Sequence, residues 1–342
     1  MERDPAAEWE IDPAEYDPAS PDAEKFRFLL RYAILAPSSH NTQPWLFRIA
    51  GDRLSILADR TRCLPVVDPH DRALVISCGG ALGVLRTAMR RFGHAGEIEL
   101  LPDGGKGDLL AHVRLGPPHR PSERERSRFA AITRRRSTRF PFEDRPLPPG
   151  LDDELRQLAA AGDVEIALAC DPTARASIAA LVAEGDRIQF SNASFRRELA
   201  SWVHSRCAVS RDGMSAANFG MPDVLSGVGA LVIRTFDLGD GVAAKDDAIA
   251  SGSAALIVVA SATDRPRDWL TTGMAHVDLL LAIAAAGMTC AYLNEPIEVD
   301  ALRPRLKAVA GIRGVPQLLL RVGYGPEIPP SVRRPVGHVL ID

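Results

Sequence analysis

The sequence contains few cysteines, and their spacing argues against two common ways of stabilising a small fold. Five cysteines occur among 342 residues, with no Cys-x-x-Cys pair. An odd number at irregular spacing argues against a disulfide framework and against a zinc site. We therefore predict no metal ligands, and the pattern fits best with the reducing cytoplasm.

Long apolar runs and an excess of positive charge are also lacking. The most apolar stretch, 279–293, is shorter than the roughly 18 residues that a membrane span needs, and Gly287 and Thr289 interrupt it. The first residues are acidic and proline-rich, without the apolar centre of a signal peptide. With a formal net charge of -3, the chain has no overall basic field to attract nucleic acid or an anionic membrane. Neither is predicted as a partner.

The sequence signatures of several large enzyme classes are missing. It has no G-x-x-x-x-G-K-[ST], no H-E-x-x-H, no G-x-S-x-G and no convincing strand-linked G-x-G-x-x-G. What remains is the composition of an ordinary globular protein, 46% hydrophobic and 25% charged, which can bury a sizeable core. At about 150 residues per domain, the length predicts two domains.

The most informative stretch is the loop at 36–45, Ala-Pro-Ser-Ser-His-Asn-Thr-Gln-Pro-Trp. The apolar run before it, 28–35, has the spacing of a helix face, and Pro37 prevents that helix from continuing. The hydroxyl and amide side chains of the loop supply donors and acceptors, while Trp45 can anchor it to a core. Such a loop suits a polar, planar ligand. The alternative is a helix stop whose side chains bond to nearby backbone.

A second motif, Arg-Arg-Ser-Thr-Arg at 135–139, supplies positive charge. A guanidinium group offers a rigid fork of donors that fits phosphate or an anionic ring edge, and Ser137 can add a hydroxyl to the same phosphate. A further basic pair, Arg333 and Arg334, lies in the C-terminal tail and can close on the same group. The alternative is a solvated basic helix face, or plain surface for the tail pair.

An internal repeat relates the two halves of the chain. A shift of 194 positions superposes two segments without a gap, and places Gly79, Gly93 and Pro102 on Gly273, Gly287 and Pro296. Glycine and proline mark backbone geometry, so their coincidence is informative. We interpret the halves as copies of one unit packed as an intramolecular pseudo-dimer. Because only the first half has the loop and only the second has the arginine motif, a site that needs both lies between the halves.

Hydrophobic periodicity places helices and strands in both halves. The segment 117–128, rich in proline and charge, reads as a linker. A glycine-rich stretch at about 211–247 has little periodicity and can form a lid. The predicted division is an N-terminal arm at 1–21, a first lobe at 22–116, the linker at 117–128 and a second lobe at 129–342.

Together, the two motifs resemble the FMN-binding signatures of the nitroreductase family. Their order is reversed relative to a single-domain member, where the arginine motif comes first. That reversal, the tandem repeat, Ala58-Asp59-Arg60 and Pro-Val-Val-Asp-Pro at 65–69 look like the Acg-type double-domain nitroreductase-like proteins. The resemblance covers about 26–340 and implies an α+β fold, with two nitroreductase-like α/β lobes in tandem that form one pseudo-dimer.

The resemblance further implies one FMN between the lobes. Arg139 matches a cation near the N1–O2 edge of the flavin, where a fixed charge stabilises the negative charge of the reduced ring. The segment containing Asn294 and Glu295 matches the stretch that runs past N5, and Arg333 or Arg334 matches a phosphate contact. The remaining implied contacts come from both lobes: Pro37, Ser38, Ser39 and Asn41 from the first, and Arg135, Arg136 and Ser137 from the second.

The activity that the resemblance implies is hydride transfer from NAD(P)H through FMN N5 to a nitroaromatic, a quinone or a similar small electrophile. Such chemistry belongs to the cofactor, and no catalytic side chain is predicted. One alternative is an FMN-sequestering, stress-related protein whose lid leaves little turnover. Another is an interaction protein with a basic motif and no cofactor. Whole chains are expected as monomeric pseudo-dimers or as homo-oligomers.

Overall fold

The computed structural model describes residues 7–204, 210–215, 233–234, 239–242 and 252–342, so most of the predicted lid lies outside the described residues. Within them the α+β prediction is confirmed. The helices are α1 Asp22–Ala33, α2 Arg72–Arg91, α3 Glu123–Ala131, α4 Leu151–Ala161, α5 Pro172–Ser191, α6 Ala193–Ser201, α7 Pro266–Ala285, α8 Glu295–Glu298, α9 Arg303–Ala310 and α10 Val336–Val339. The strands are β1 Trp45–Ala50, β2 Arg53–Ala58, β3 Glu97–Leu100, β4 Leu109–Arg114, β5 Glu165–Ala169, β6 Val203–His204, β7 Met214–Ser215, β8 Ala255–Ser261, β9 Thr289–Tyr292, β10 Val315–Gly323 and β11 Leu340–Ile341.

Two antiparallel sheets repeat one strand order. The first sheet runs β11-β1-β2-β4-β3 and the second runs β5-β8-β10-β9. Apart from β11, which pairs parallel to β1, every neighbouring pair in both sheets is antiparallel. Strands β1, β2, β4 and β3 therefore correspond to β5, β8, β10 and β9. The two predicted tandem lobes are present as two copies of one arrangement.

Helices α2 and α7 form the seam between the lobes. Each has 20 residues, and position 266 follows position 72 by 194, the shift of the repeat. A Cβ atom added to Gly273 would lie 2.1 Å from the Ile76 carbonyl oxygen, and one added to Gly79 would lie 2.3 Å from that of Leu270. The helices thus touch backbone to backbone. Because Gly79 and Gly273 are repeat equivalents, the contact is self-complementary, as in a twofold dimer.

The hydrophobic cores extend across this seam. Leu270, Val277 and Leu281 of α7 belong to the core of the first lobe, while Ile76 of α2 belongs to that of the second. Among the described helices, α2 is long and apolar enough to cross a membrane, but 89% of its most apolar window is buried inside the protein. Its apolar character is therefore explained by its central position between two sheets.

Segments that are distant from one another in the chain pack on the first lobe. Helix α3 begins inside the segment 117–128, and its Phe129 packs in the core of the first lobe. Strand β11, from the C-terminus, extends the first sheet. The arm is also packed, since Trp9 is buried and the ring of Tyr16 lies 4.4 Å from that of Phe92. These aromatic contacts hold a proline-rich, acidic segment that has no periodicity of its own.

Candidate functional site

A cavity of about 930 Å³ has walls from both lobes, and it collects most of the residues proposed from the motifs. Its walls include the loop after α1, the segment between α3 and α4, helices α2, α5, α6, α7 and α8, strand β9 and the C-terminal segment. Eleven of the twelve predicted cofactor contacts line it: Pro37, Ser38, Ser39, Asn41, Arg135, Arg136, Ser137, Arg139, Asn294, Glu295 and Arg333. Their contact with a flavin stays a prediction.

Arg334, the twelfth residue, supports the loop from outside the cavity lining. Its backbone N–H donates to Gln43 Oε1 at 2.7 Å, and its Nη1 donates to the Gln43 carbonyl oxygen at 3.0 Å. The same guanidinium group forms an ion pair with Asp59 at 3.3 Å. Of the two adjacent arginines, Arg333 therefore faces the cavity and Arg334 does not, a difference that the dipeptide alone does not reveal.

The loop after α1 has an unusual backbone. His40, Asn41 and Gln43 have φ angles of 49°, 55° and 52°, a left-handed region that costs free energy in residues with a Cβ atom. Hydrogen bonds hold it there, among them those from the Gln43 backbone N–H to Ser38 Oγ at 2.9 Å and from Gln43 Nε2 to the Arg211 carbonyl at 2.8 Å. Side chains thus bond to nearby backbone, as the alternative interpretation predicted, and the loop also lines the cavity.

Asn41 connects the loop to two distant segments. Its Nδ2 donates to the carbonyl oxygens of Gly213 at 3.0 Å and of Val332 at 3.2 Å. Its Oδ1 accepts from Arg333 Nη1 at 2.9 Å. The side chain therefore fixes the position of the buried Arg333 guanidinium group relative to the loop.

Arg135, Arg136 and Arg333 form a cluster of positive charge at the cavity wall. Burial and the charges of Arg135 and Arg136 hold the pKa of Arg333 well below its ordinary value. In the described part of the chain, the arginines that form ion pairs with carboxylates are others than these three. The buried Nε of Arg333 has no hydrogen-bond partner there. Like charges that form no ion pair among the described residues, together with an unused donor, suit a bound anion.

Another part of the wall is apolar and acidic, and no sequence motif indicated it. Phe190, Phe195 and Leu199 belong to one hydrophobic cluster and line the cavity. Gln189 Nε2 donates to Glu298 Oε2 at 2.8 Å, and burial raises the pKa of that glutamate. These side chains come from α5, α6 and α8. Helices α5 and α6 lie between β5 and β8 in the second lobe. The equivalent strands of the first lobe, β1 and β2, are joined only by a turn, so the internal repeat could not predict these two helices.

Two histidines in the cavity wall are held neutral. The ring of His276 is 3% exposed, with Nε2 2.8 Å from the Tyr292 hydroxyl and Nδ1 without a partner among the described residues. Burial and then the charge of Arg135 lower its pKa to about 3. Burial and the charge of Arg139 lower the pKa of His40 to about 4. Neither ring therefore adds positive charge to the site near neutral pH.

Acidification from pH 7 to pH 4 is expected to lower the free energy of unfolding, in part because of these histidines. In the unfolded chain both histidines have a pKa near 6.5, whereas in the folded chain the pKa of His40 is about 4 and that of His276 is about 3. The unfolded state binds more protons in this window, so stability rises with pH by up to about 1.4 kcal/mol per pH unit for each histidine. The free energy of unfolding, measured by urea denaturation at several pH values in this window, should depend less steeply on pH in His276→Gln than in the wild type. An unchanged pH dependence would contradict the lowered pKa of His276.

Comparisons with known proteins give a consistent result. No family model matches the chain. It is 31% identical over 334 residues to the Mycobacterium tuberculosis protein named "Putative NAD(P)H nitroreductase Rv3131", covering 96% of this chain and 94% of that one. It is 27% identical over 318 residues to "Putative NAD(P)H nitroreductase acg" from the same organism, covering 91% and 93%. Among solved structures, the FMN- and NADPH-dependent nitroreductase NfnB from a Sphingopyxis strain is 18% identical, covering 61% of this chain and 93% of that chain, with a TM-score of 0.37.

The relatives in M. tuberculosis match 96% and 91% of this chain, so the similarity extends over both lobes. Identity of 31% across 96% of the chain is sufficient to assign the family. The chain belongs to the nitroreductase-like family, in the Acg-type group.

Proposed function

We propose that this chain binds one FMN across its seam and acts as an FMN-dependent NAD(P)H oxidoreductase, passing hydride to a small electrophile such as a nitroaromatic or a quinone. The observation that carries the proposal is one cavity lined by both motifs, with three arginines that form no ion pair in the described part of the chain. Two relatives carry the name "Putative NAD(P)H nitroreductase", which supports the proposal.

The residues present fit an FMN molecule. A volume of about 930 Å³ lies within the range of cofactor sites, roughly 300–1,000 Å³. The cluster of Arg135, Arg136 and Arg333 matches a phosphate in charge and in donor geometry. Arg333 Nε and His276 Nδ1 are buried atoms without partners in the described chain, and a ligand with several acceptors and donors can satisfy them.

The side chains have separable tasks in this proposal. Bound FMN supplies the hydride-carrying position of the reaction. Arg135, Arg136 and Arg333 bind its phosphate, and Arg139 places a cation at another part of the cavity wall. Phe190 and Phe195 exclude water from that cavity, which strengthens the electrostatic interactions inside it.

A second candidate function is FMN sequestration with little turnover. It is favoured by contacts between residues 211–213, in the described part of the predicted lid, and the loop at 36–45, which we call the motif loop. The Gly213 backbone N–H donates to the Asn41 carbonyl at 3.2 Å, and Gln43 Nε2 donates to the Arg211 carbonyl. Arg62 adds an ion pair with Asp212. A segment fixed in this way can restrict access to the cavity.

Anaerobic mixing of the purified, FMN-loaded protein with NADPH distinguishes the two functions. Rapid loss of the oxidised flavin absorbance is expected for the oxidoreductase. Absorbance that persists for minutes, although FMN is tightly bound, would favour sequestration. A colourless preparation that takes up no added FMN would contradict both.

Arg139→Ala is expected to weaken FMN binding or to slow flavin reduction by about tenfold. The reason is a lost cation in the cavity wall, since Arg139 lies close enough to His40 to lower its pKa. The effect is limited because the side chain is exposed to solvent. Flavin titration and stopped-flow absorbance measure the two quantities. Arg139→Lys, which keeps the charge, should lose less, and unchanged values for the alanine variant would remove Arg139 from the site.

A further inference from the structure

The N-terminal arm places an aromatic side chain against the arginine cluster. Trp9 is 6% exposed and lines the cavity. The centroid of its ring lies 4.4 Å from Arg136 Cζ and 4.8 Å from Arg333 Cζ. Its Nε1 donates a hydrogen bond to the Ser331 carbonyl oxygen at 2.8 Å. One indole thus contacts two guanidinium groups, one from each part of the proposed phosphate site.

An indole suits this position because it attracts cations without carrying a charge. Burial and then the like charges of Arg135 and Arg136 lower the pKa of Arg333, so the cluster disfavours its own positive charge. A carboxylate would relieve the repulsion, but it would also neutralise the cluster and compete with a bound anion. The face of an indole attracts each guanidinium group and leaves the net positive charge intact. Trp9 therefore orders the arginines while keeping them available for a ligand.

The arm is tied to the molecule by contacts on either side of the indole. A 3-10 helix covers Ala7–Trp9, and Glu8 forms an ion pair with Arg211 at 3.4 Å. The Arg211 carbonyl accepts the hydrogen bond from Gln43, so this tether leads back to the motif loop. The position of Trp9 is consequently coupled to the loop and to the C-terminal segment, which are the two sides of the cavity that carry Asn41 and Arg333.

We propose that Trp9 is a positioning residue that makes the site selective for a phosphorylated flavin. By stacking on Arg136 and Arg333, it holds their N–H groups toward the phosphate, and FMN is favoured over riboflavin because only FMN meets those donors. The inference rests on the proposed function and extends it to the choice of flavin. It assigns a role to a segment that the sequence motifs left outside the site.

The test compares FMN with riboflavin in matched variants of the full chain. Flavin-free protein is titrated with each ligand, and the dissociation constants are obtained from flavin fluorescence. Trp9→Leu fills the apolar space but lacks the cation-attracting face, and it is expected to lose about 10- to 100-fold in FMN affinity with riboflavin affinity unchanged. Trp9→Phe keeps an aromatic face, loses only the bond to Ser331, and should stay within about threefold of the wild type. Trp269→Phe, at an indole outside the cavity lining that bonds to Asp264, is the control.

The ratio of the two dissociation constants within one variant separates selectivity from folding, because partial unfolding lowers both affinities equally. An equal loss for FMN and riboflavin in Trp9→Leu, or no loss for either, would overturn the role of Trp9 while leaving the proposed function intact. A wild-type chain that binds neither flavin would instead end the proposed function itself.

Discussion

Replacing Arg135 by alanine is expected to weaken FMN binding by about 10- to 150-fold. The side chain is 7% exposed, lines the cavity and donates through Nη2 to the Leu35 carbonyl at 3.1 Å. Its charge acts on His276, Cys290 and Arg333, which places it at the centre of the arginine cluster. A hydrogen bond to a charged group contributes about 1.5–3 kcal/mol, and 2.8 kcal/mol corresponds to about a hundredfold in affinity.

Two variants control this experiment. Arg134→Ala removes the preceding arginine, which is exposed and lies outside the cavity lining, and should leave the affinity unchanged. Arg135→Lys keeps the charge but loses the planar fork of donors, so an intermediate loss is expected. Isothermal titration of the flavin-free proteins measures all three, with thermal unfolding confirming that each variant is folded. Wild-type affinity in Arg135→Ala would remove the arginine motif from the proposed FMN site.

The features that could be predicted from the sequence are those set by local chemistry. The motif loop and the arginine segment could be recognised because the residue types of each segment indicate what its side chains bond. Both segments line one cavity, as the sequence predicted. The shift of 194 positions identified α2 and α7 as equivalents because the glycines of a backbone contact cannot be replaced by larger residues. The helices and strands of both halves followed from periodicity, and the α+β class followed from the family resemblance.

The features that could not be predicted depend on contacts distant in the chain. Trp9 reaches Arg333 across nearly the whole sequence, and the arm has no pattern that points there. The parallel pairing of β11 with β1, Phe47 opposite Leu340, is equally remote. Helix α3 is different, because Ser122 and Glu125 form a capping box that is visible as Ser-x-x-Glu inside the segment predicted as a linker. That signal could have located the helix.

Gly273→Ala is expected to destabilise the protein by at least about 3 kcal/mol and to abolish FMN binding at ordinary concentrations. The added methyl group would lie 2.1 Å from the Ile76 carbonyl oxygen and 2.7 Å from the Gly80 nitrogen. Overpacking a core typically costs about 1–3 kcal/mol, and here the obstacle is helix backbone that cannot rotate away. Relief requires α2 and α7 to separate, and that separation moves the two lobes that carry the halves of the cavity.

Chemical denaturation and flavin titration measure the two effects. Gly337→Ala is the matched control, since a Cβ atom there meets nothing within 4 Å, and both properties should stay at wild-type values. Gly79→Ala, the repeat equivalent, should act like Gly273→Ala because its Cβ atom would lie 2.3 Å from the Leu270 carbonyl. The double variant should cost less than the sum of the two, because helices already separated by one methyl group make room for the second. Wild-type stability in Gly273→Ala would mean that the seam can widen freely. FMN binding that survived a measured destabilisation would mean that the cavity does not depend on the close approach of α2 and α7.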